Sequence, residues 1–327
     1  MFRALLATAS LAAGLLTAPA AALAADTTTP LTAAEMSAAL KGVAGTTAPA
    51  ELPGYAGDLQ LSFTLDGAAQ KGSAKFGADA ASGRGYLSAT GVLGALGTYA
   101  QAGKGMWIYF NGKTERAAVA MAGRPAARYV FQPDAKLTLD DWDADTLPTA
   151  SSVVGEDALH AGTKTVHDDG TTDYTYADDE KIQITFTVDA HGVLTAAHAA
   201  TTGVEETFTW TYGPQTISLP SAAQTIGAVV FTQALAYLNM AGKVKQAAVN
   251  SAEVVESRSK KKTVKVVNLR KWTRYEISSF NSSLGVKVLA VADVKGGVRI
   301  SAKNPFTKAT AAYTVKASGK HAVARKA

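Results

Sequence analysis

The chain has 327 residues, of which 47% are hydrophobic and 18% charged, and it contains no cysteine. It can therefore form no disulfide and no thiolate metal site. Its net charge of +5 is unevenly distributed, because residues 237–327 hold 19 Lys/Arg and 4 Asp/Glu, a net +15, whereas residues 1–236 carry a net −10. This asymmetry predicts two units with different partners, the basic one attracted to polyanions. The alternative is a charged, soluble domain without a dedicated polyanion partner.

The first residues have the pattern of a secretory signal peptide. Arg3 precedes an uncharged apolar stretch over 4–18, and Ala22-Leu23-Ala24 offers the small-x-small cleavage pattern. The apolar stretch is too short for a membrane anchor. We therefore expect residues 1–24 to be removed and the mature protein to be secreted, outside the cytoplasm at the cell envelope. Without a cysteine after the cleavage site, it is not lipidated there.

A short helix is predicted at the start of the mature chain. Thr32 and Glu35 have the spacing of a capping box. Met36, Leu40 and Val43 then share one helical face over about three turns.

From residue 58 to 220 the pattern changes to that of β-strands. Leu59, Leu61, Phe63 and Leu65 alternate with polar residues, which is the period of a half-buried strand. Turn signals such as Asp169-Gly170 separate the segments, so we expect a meandering antiparallel sheet, curved into an incomplete β-barrel with an apolar concave side. Further strands are predicted at 72–78, 85–89, 98–102, 106–110, 117–121, 164–167, 171–176, 182–188, 193–201, 205–210 and 216–219.

After this sheet a helical period returns. Apolar residues spaced for a helix run from Ser221 to Ser257, which predicts one long helix, bent near Gly242. Strands at 264–269, 286–292, 298–302 and 311–315 would complete a small, basic α+β domain. The fold class is thus α+β, with a signal peptide over 1–24, a half-barrel domain over 25–221, and the long helix with the basic domain over 222–327. Single-pass anchoring near 222–242 is a minor alternative.

The sequence offers no constellation for catalysis, and we expect no enzyme activity and no cofactor. The histidines form no HExxH motif, and no phosphate-binding loop or nucleophile elbow follows a strand. Asp141, Asp143 and Asp145 have the spacing that opens a calcium loop, but Thr146 replaces the required glycine and Ser152 the closing glutamate. We therefore interpret these carboxylates as helix caps or solvated groups and predict no metal site.

The region from Leu31 to Ser221 resembles the LolA-like and LppX/LprG-type bacterial lipoprotein carriers. The resemblance lies in the opening helix, the run of antiparallel strands, and the stretches 169–174, 186–194 and Tyr212-Gly213-Pro214 leading to Leu219-Pro220. In that family an incomplete barrel holds lipid or acyl chains in a hydrophobic hollow. The missing lipid-attachment cysteine departs from the mycobacterial lipoproteins, whereas LolA-type carriers are soluble.

This resemblance implies a lipid or acyl-chain ligand in a hollow lined by large apolar side chains. The alternative is that the same side chains pack against the N-terminal helix as a filled core. The residues that we expect to line the hollow are Leu61, Phe63, Leu65, Ile108, Phe110, Ile184, Phe186, Val188, Phe208 and Trp210.

The C-terminal region resembles the head of type IV pilin-like proteins, through a helix over 246–253, the stretch 297–304 and Tyr313. A second hypothesis is therefore a surface interaction or adhesion protein without a small-molecule ligand. Its basic tail would bind an anionic envelope polymer or membrane surface, and we do not expect nucleic acid as a partner, since exported proteins seldom meet it. The residues predicted for polyanion binding are Lys260, Lys261, Lys262, Lys265, Arg270, Lys271, Arg274 and Lys287, interleaved with Trp272 and Tyr275.

Overall fold

The computed structural model describes residues 26–65, 67–146, 148–154 and 160–327, so the signal peptide predicted over 1–24 lies outside the described residues. The fold is of the α+β class and forms two compact units. The first contains the chain up to Tyr109 and Gln132–Pro220, and the second contains Phe110–Phe131 and Ser221–Ala327. The domain ranges predicted from the sequence stay a prediction. They differ from the compact units at Phe110–Phe131, which the sequence analysis assigned to the half-barrel domain.

Strands and helices are mixed along the described part of the chain. Up to Pro220 they are β1 (Thr27–Leu31), α1 (Ala33–Glu51), β2 (Gly54–Leu65), β3 (Ala68–Asp79), β4 (Arg84–Gly91), β5 (Leu96–Gln101), β6 (Gly105–Tyr109), α2 (Lys113–Met121), β7 (Tyr129–Pro133), α3 (Leu139–Thr146), α4 (Ala150–Val154), β8 (Gly162–Val166), β9 (Thr172–Ala177), β10 (Gln183–Val188), β11 (Leu194–Thr201) and β12 (Val204–Tyr212). After Pro220 follow β13 (Thr225–Gly227), α5 (Ala228–Tyr237), α6 (Met240–Ser259), α7 (Val266–Leu284), β14 (Ala290–Val294), β15 (Gly297–Lys303), β16 (Thr310–Ser318) and β17 (His321–Lys326).

The first unit is built on an antiparallel sheet. Its strands lie in the order β1-β8-β9-β10-β11-β12-β2-β3-β4-β5-β6, and every neighbouring pair among them is antiparallel. The described strands begin at β1 and do not return to it, so the sheet is open. Most neighbours are consecutive in sequence, because short hairpin turns join them as the sequence predicts.

Two of the predicted strands are wrong. Residues 117–121 lie in the helix α2, where Ala118 and Val119 are fully buried and neighbouring alanines favour a helix. Residues 216–219 form no strand. The Arg84 guanidinium donates a hydrogen bond to the carbonyl of the buried Ile217 at 2.9 Å. The partner of this carbonyl is thus a side chain and not the backbone of a neighbouring strand.

The predicted capping box starts α1. The Glu35 amide donates to the Thr32 hydroxyl at 3.3 Å, and the Thr32 amide donates to the Glu35 carboxylate at 2.8 Å. The helix continues to Glu51, well beyond the three turns predicted. Its buried residues recur at helical spacing and turn one face toward the sheet: Met36, Leu40, Val43 and Thr47.

The single long helix predicted over 221–257 is wrong. It is divided into α5 and α6 by Asn239, whose φ of 54° and ψ of 37° are left-handed, a conformation that asparagine tolerates better than most residues. The Lys243 ammonium closes the end of α5 by donating to the carbonyls of Leu235 at 3.2 Å and Ala236 at 2.6 Å. The break thus lies at Asn239 and not at Gly242, where a Cβ would come within 2.7 Å of the Asn239 side chain. Both helices belong to the second unit.

None of the described helices combines the length and the hydropathy needed to cross a membrane. In the segment 222–242, considered above as an anchor, α5 has only 10 residues.

The second unit also differs from the prediction at residues 264–269. These residues lead into α7, which buries Leu269, Thr273 and Ile277 at a spacing of four and ends at Gly285, with φ 64°. The strands β14 to β17 form an antiparallel sheet in sequence order. Fully buried Val244 and Val255 of α6, Leu269 of α7 and Ile300 of β15 belong to one hydrophobic cluster. Residues 110–131 add α2 and the first three residues of β7, Tyr129–Phe131, which pair in parallel with β13.

Candidate ligand-binding site

Strand register places most of the predicted lining residues on one face of the first unit's sheet. Phe208 stands opposite Leu59 on β2, and Phe186 stands opposite Ala197 on β11. Directly paired residues of an antiparallel sheet point to the same face, and successive residues alternate. The predicted residues that share this face are Leu61, Phe63, Leu65, Ile108, Ile184, Phe186, Val188, Phe208 and Trp210.

The opposite face of the sheet is polar over much of its area, and on β4 to β6 it carries Tyr86, Tyr99 and Trp107. Lys75 and Asp58 form an ion pair there at 3.1 Å, and the hydroxyls of Thr175 and Thr185 lie 3.1 Å apart across β9 and β10. The sheet therefore has one apolar face and one mainly polar face, as the alternation of apolar and polar residues in its sequence predicts.

One part of the apolar face is closed by the N-terminal helix. Phe186 and Phe208 belong to one hydrophobic cluster with Met36 and Leu40 of α1. The fully buried Thr47 hydroxyl of α1 also accepts a hydrogen bond from the Leu194 amide at 3.0 Å. This part matches the alternative interpretation, a filled core. The predicted lining residues found in it are Phe186, Val188, Phe208 and Trp210, with Ile184 at its edge.

A second cluster occupies the part of the face nearer the end of β2. Leu61, Ala199 and Val204 are buried there, and Phe63 and Ile184 pack against them. Ile182 and Leu93, from the loops next to the strands, complete the cluster. Among the described residues this cluster takes no member from a helix. We call it the Leu61 cluster, and it is the candidate ligand-binding site.

Three predicted residues lie apart from both clusters of this face. Leu65 at the end of β2 is 58% exposed and Ile108 on β6 is 41% exposed. Phe110 lies in the second unit, where its ring is 5.0 Å from that of Phe231 and it packs with Val119. The chain leaves β6 at Phe110, and its amide donates to the Arg128 carbonyl at 2.9 Å, which explains why the alternation of the sheet does not extend to it.

The sequence analysis missed one residue of this face. Glu206 stands opposite Leu61 on β2 and opposite Ala199 on β11, and it is only 2% exposed. Its Oε2 atom is buried and has no hydrogen-bond partner among the described residues. Burial raises the pKa of the Glu206 carboxyl to about 7. The signal was present in the sequence, because Glu206 has the same phase as Val204 and Phe208 and is the charged member of an otherwise apolar series.

The predicted polyanion-binding lysines are exposed. Lys260, Lys261 and Lys262 form the turn between α6 and α7, and Lys265 precedes α7. Lys271 is exposed on α7. Its ammonium lies 5.2 Å from the centre of the Trp272 ring, and the Arg258 guanidinium lies 3.9 Å from the same ring. Tyr275, predicted to be interleaved with these cations, is 61% exposed.

Two of the predicted arginines have partners inside the second unit. Arg274 donates to the Asp293 carboxylate at 2.6 Å, and Arg270 donates to the Val294 carbonyl at 3.1 Å. Both contacts join α7 to the β14–β15 hairpin. Lys287 is exposed, and its carbonyl accepts from the Tyr237 hydroxyl at 3.4 Å. The structure therefore brings the lysines of one turn together but gives Arg270 and Arg274 a structural role.

The aspartates with calcium-loop spacing lie in α3. The Thr138 hydroxyl donates to the Asp141 carboxylate at 2.6 Å, and the Asp141 amide donates to that hydroxyl at 3.1 Å. Asp141 thus helps to cap the helix, as the capping interpretation predicts.

No family model matches the chain, and no curated protein matches it. Several solved structures align with part of the chain. The lipoprotein LppX of Mycobacterium tuberculosis is 8% identical, with 56% of this chain and 99% of that chain covered and a TM-score of 0.28. LprF of Mycobacterium bovis is 10% identical over 58% and 98%, with a TM-score of 0.28. A LolA superfamily protein of Nitrosomonas europaea is 8% identical over 58% and 96%, with a TM-score of 0.20.

Proposed function

We propose that this chain is an exported, non-catalytic protein whose open sheet curves into a half-barrel and binds a lipid or another hydrophobic ligand. The Leu61 cluster carries the proposal, because it is apolar and, among the described residues, it is built from the sheet and its loops without a helix. An acyl chain on such a face gains roughly 25 cal/mol per Å² of apolar area removed from water. The sequence resemblance implies the same kind of ligand.

In this proposal the two parts of the apolar face have different roles. The part under α1, around Phe186 and Phe208, is a packed core that fixes the shape of the sheet. The part with the Leu61 cluster is the binding surface, and the ligand meets it at the partly exposed side chains of Phe63, Leu93 and Ile184. The ligand site is therefore smaller than the ten residues predicted from the sequence, and Phe110 is not part of it.

Uptake of a neutral acyl probe tests this proposal. The protein, purified after export and without detergent, is titrated with a pyrene-labelled triacylglycerol, which has no hydrogen-bond donor, and followed by pyrene fluorescence. We expect saturable uptake, weakened by Leu61→Asn, which places an amide on the apolar face. Thr64→Asn is the matched control, because Thr64 is exposed on the polar face of the same strand. Absence of uptake by the folded wild-type protein would refute the proposal.

We further propose that the second unit docks on an anionic envelope polymer or membrane surface. The exposed turn Lys260–Lys262 and the cations around Trp272 support this. Binding to anionic vesicles or teichoic acid should weaken steeply as salt rises. Replacing Lys260, Lys261 and Lys262 together by Gln should abolish most of the binding. An equal loss at Lys295, Lys303 and Lys316, replaced together, would instead indicate attraction by net charge alone.

A surface interaction or adhesion role without a small-molecule ligand is the alternative. It requires that the second unit binds an anionic surface while the Leu61 cluster takes up no acyl probe. The same two titrations therefore separate the alternatives.

A further inference from the structure

A single carboxylate interrupts the apolar face that contains the Leu61 cluster. On the described strands from β9 to β6, no other position in phase with Glu206 carries Asp, Glu, Lys or Arg. Its cross-strand neighbours are Leu61 and Ala199, and its neighbours along the strand on the same face are Val204 and Phe208. Each of these four side chains is apolar and buried.

No hydrogen-bond donor among the described residues compensates the burial of the Glu206 Oε2 atom. Glu206 is 2% exposed, and its buried Oε2 atom accepts no hydrogen bond from the described residues. A buried polar atom without a partner is unfavourable for folding. The strand could carry a carboxylate without this cost, because Glu205 is exposed on the polar face next to it. The position of Glu206 is therefore not explained by stability or solubility.

An unpaired acceptor on an apolar binding face is suited to a ligand that supplies the missing donor. Binding pockets for hydrophobic ligands are mostly apolar, with a few polar groups that fix the ligand's orientation. A hydroxyl or ammonium group at the polar end of an amphiphile would satisfy the free Oε2 atom, while its alkyl chain lies along Leu61 and Ile184. A carboxylate or phosphate at the same end brings further acceptors, and its negative charge is repelled by ionised Glu206.

We propose that Glu206 is a ligand-binding residue that accepts a hydrogen bond from an amphiphile bearing a hydroxyl or ammonium group, and that it selects against anionic amphiphiles. This inference rests on the proposed function, since it assigns the ligand class of the same site. It places the polar end of the ligand at the β2–β12–β11 part of the sheet, where Leu61, Glu206 and Ala199 stand side by side.

Competition between amphiphiles of equal chain length tests the inference. Dodecylamine, dodecanol and dodecanoate are each used to displace the pyrene-labelled triacylglycerol from the wild-type protein at pH 8. We expect the amine and the alcohol to displace it at concentrations at least about tenfold below those needed for dodecanoate, because a hydrogen bond to a charged acceptor is worth about that factor. Comparing dodecylamine with dodecanol shows whether the site prefers an ammonium or a hydroxyl group as the hydrogen-bond donor.

Two variants assign this preference to Glu206. In Glu206→Leu, which continues the apolar series of the strand, the preference should disappear, so that dodecanoate displaces the probe at the same concentration as dodecylamine and dodecanol. Glu206→Gln keeps a hydrogen-bond acceptor but has no charge. Dodecanol should therefore still displace the probe at a low concentration, whereas dodecylamine should need a higher concentration than it does with the wild type. Glu205→Leu, on the opposite face of the same strand, is the control and should behave as wild type.

The outcomes distinguish this inference from the proposed function. Without uptake of the neutral probe by the wild-type protein, the proposed function fails and the inference fails with it. Probe uptake with dodecanoate as effective as dodecylamine and dodecanol overturns the inference alone, and it does so without any variant. A preference that survives in Glu206→Leu also overturns it. The inference is also overturned if a second copy of the chain occupies the apolar face. In that case the protein forms a dimer as its concentration rises, and the dimer releases the bound probe.

Discussion

Glu206 is the residue whose position has the largest consequences. Its side chain is buried among apolar neighbours, and its Oε2 atom has no partner among the described residues. Removing a buried, unpaired polar group usually stabilises a protein. We therefore expect Glu206→Leu to raise the free energy of unfolding by about 1–3 kcal/mol, measured by urea denaturation at pH 8. The exposed Glu205 is the control, and Glu205→Leu should change it by less than about 0.5 kcal/mol. Destabilisation by Glu206→Leu would indicate that the carboxylate is needed by the fold itself.

The raised pKa of Glu206 predicts how stability depends on pH. Burial raises this pKa from 4.5 to about 7, so between these values the folded state binds more protons than the unfolded state. The free energy of unfolding should therefore fall as pH rises from about 4.5 to about 7, by up to roughly 3 kcal/mol from this group. Leu61, Ala199, Val204 and Phe208, its neighbours on this face, do not titrate.

Glu206→Gln provides the comparison for this pH dependence. Urea denaturation of both proteins across this pH window should give a steeper fall for the wild type than for the variant. Parallel curves would show that the Glu206 carboxyl titrates near its ordinary pKa and is solvated.

At the scale of elements, the junction of α5 and α6 is the feature that most departs from the sequence prediction. Asn239 has a left-handed backbone, which costs β-branched residues more than it costs asparagine or glycine. We expect Asn239→Val to lower the free energy of unfolding of the second unit by about 1–2 kcal/mol and Asn239→Gly to leave it nearly unchanged. Thermal unfolding of both variants measures this. A continuous helix over 221–257 would give the opposite order, since valine fits a helix interior better than glycine does.

The strands were predictable because the sheet has one apolar and one polar face. Leu59, Leu61 and Phe63 alternate with polar residues, and this period survives in the structure. The helices of the second unit were less predictable. Apolar residues keep a helical spacing across Asn239, so the pattern does not show the break, and the run of β-branched residues at Val264, Val266 and Val267 resembles a strand although α7 begins there.

The candidate site was predictable only in part, for a related reason. Lining residues were chosen by apolar type, which found Leu61, Phe63 and Ile184 but could not show which of the apolar residues α1 covers. The same criterion excluded Glu206, although its phase on the strand places it on that face. Testing the phase of charged residues, and not only of apolar ones, would have found it.

At the scale of the whole molecule, charge and compact units do not divide the chain at the same place. The net charge changes sign near Tyr237, whereas the second unit begins at Ser221 and also contains Phe110–Phe131. No local pattern indicates that a segment 90 residues upstream joins the C-terminal unit, because the contact of β7 with β13 is long-range. The acidic unit carries the candidate ligand site and the basic unit the exposed lysines, which supports separate partners for the two.

Native mass spectrometry of the exported protein, purified without detergent from its own host, tests the central claim most directly. The account predicts a population heavier than the mature polypeptide by the mass of a bound amphiphile, released by organic extraction and carrying a hydroxyl or amine group. Leu61→Asn should reduce that population, and Thr64→Asn should leave it unchanged. Recovery of the bare polypeptide alone, together with no uptake of the acyl probe, would contradict the claim that the apolar face of this sheet binds a ligand.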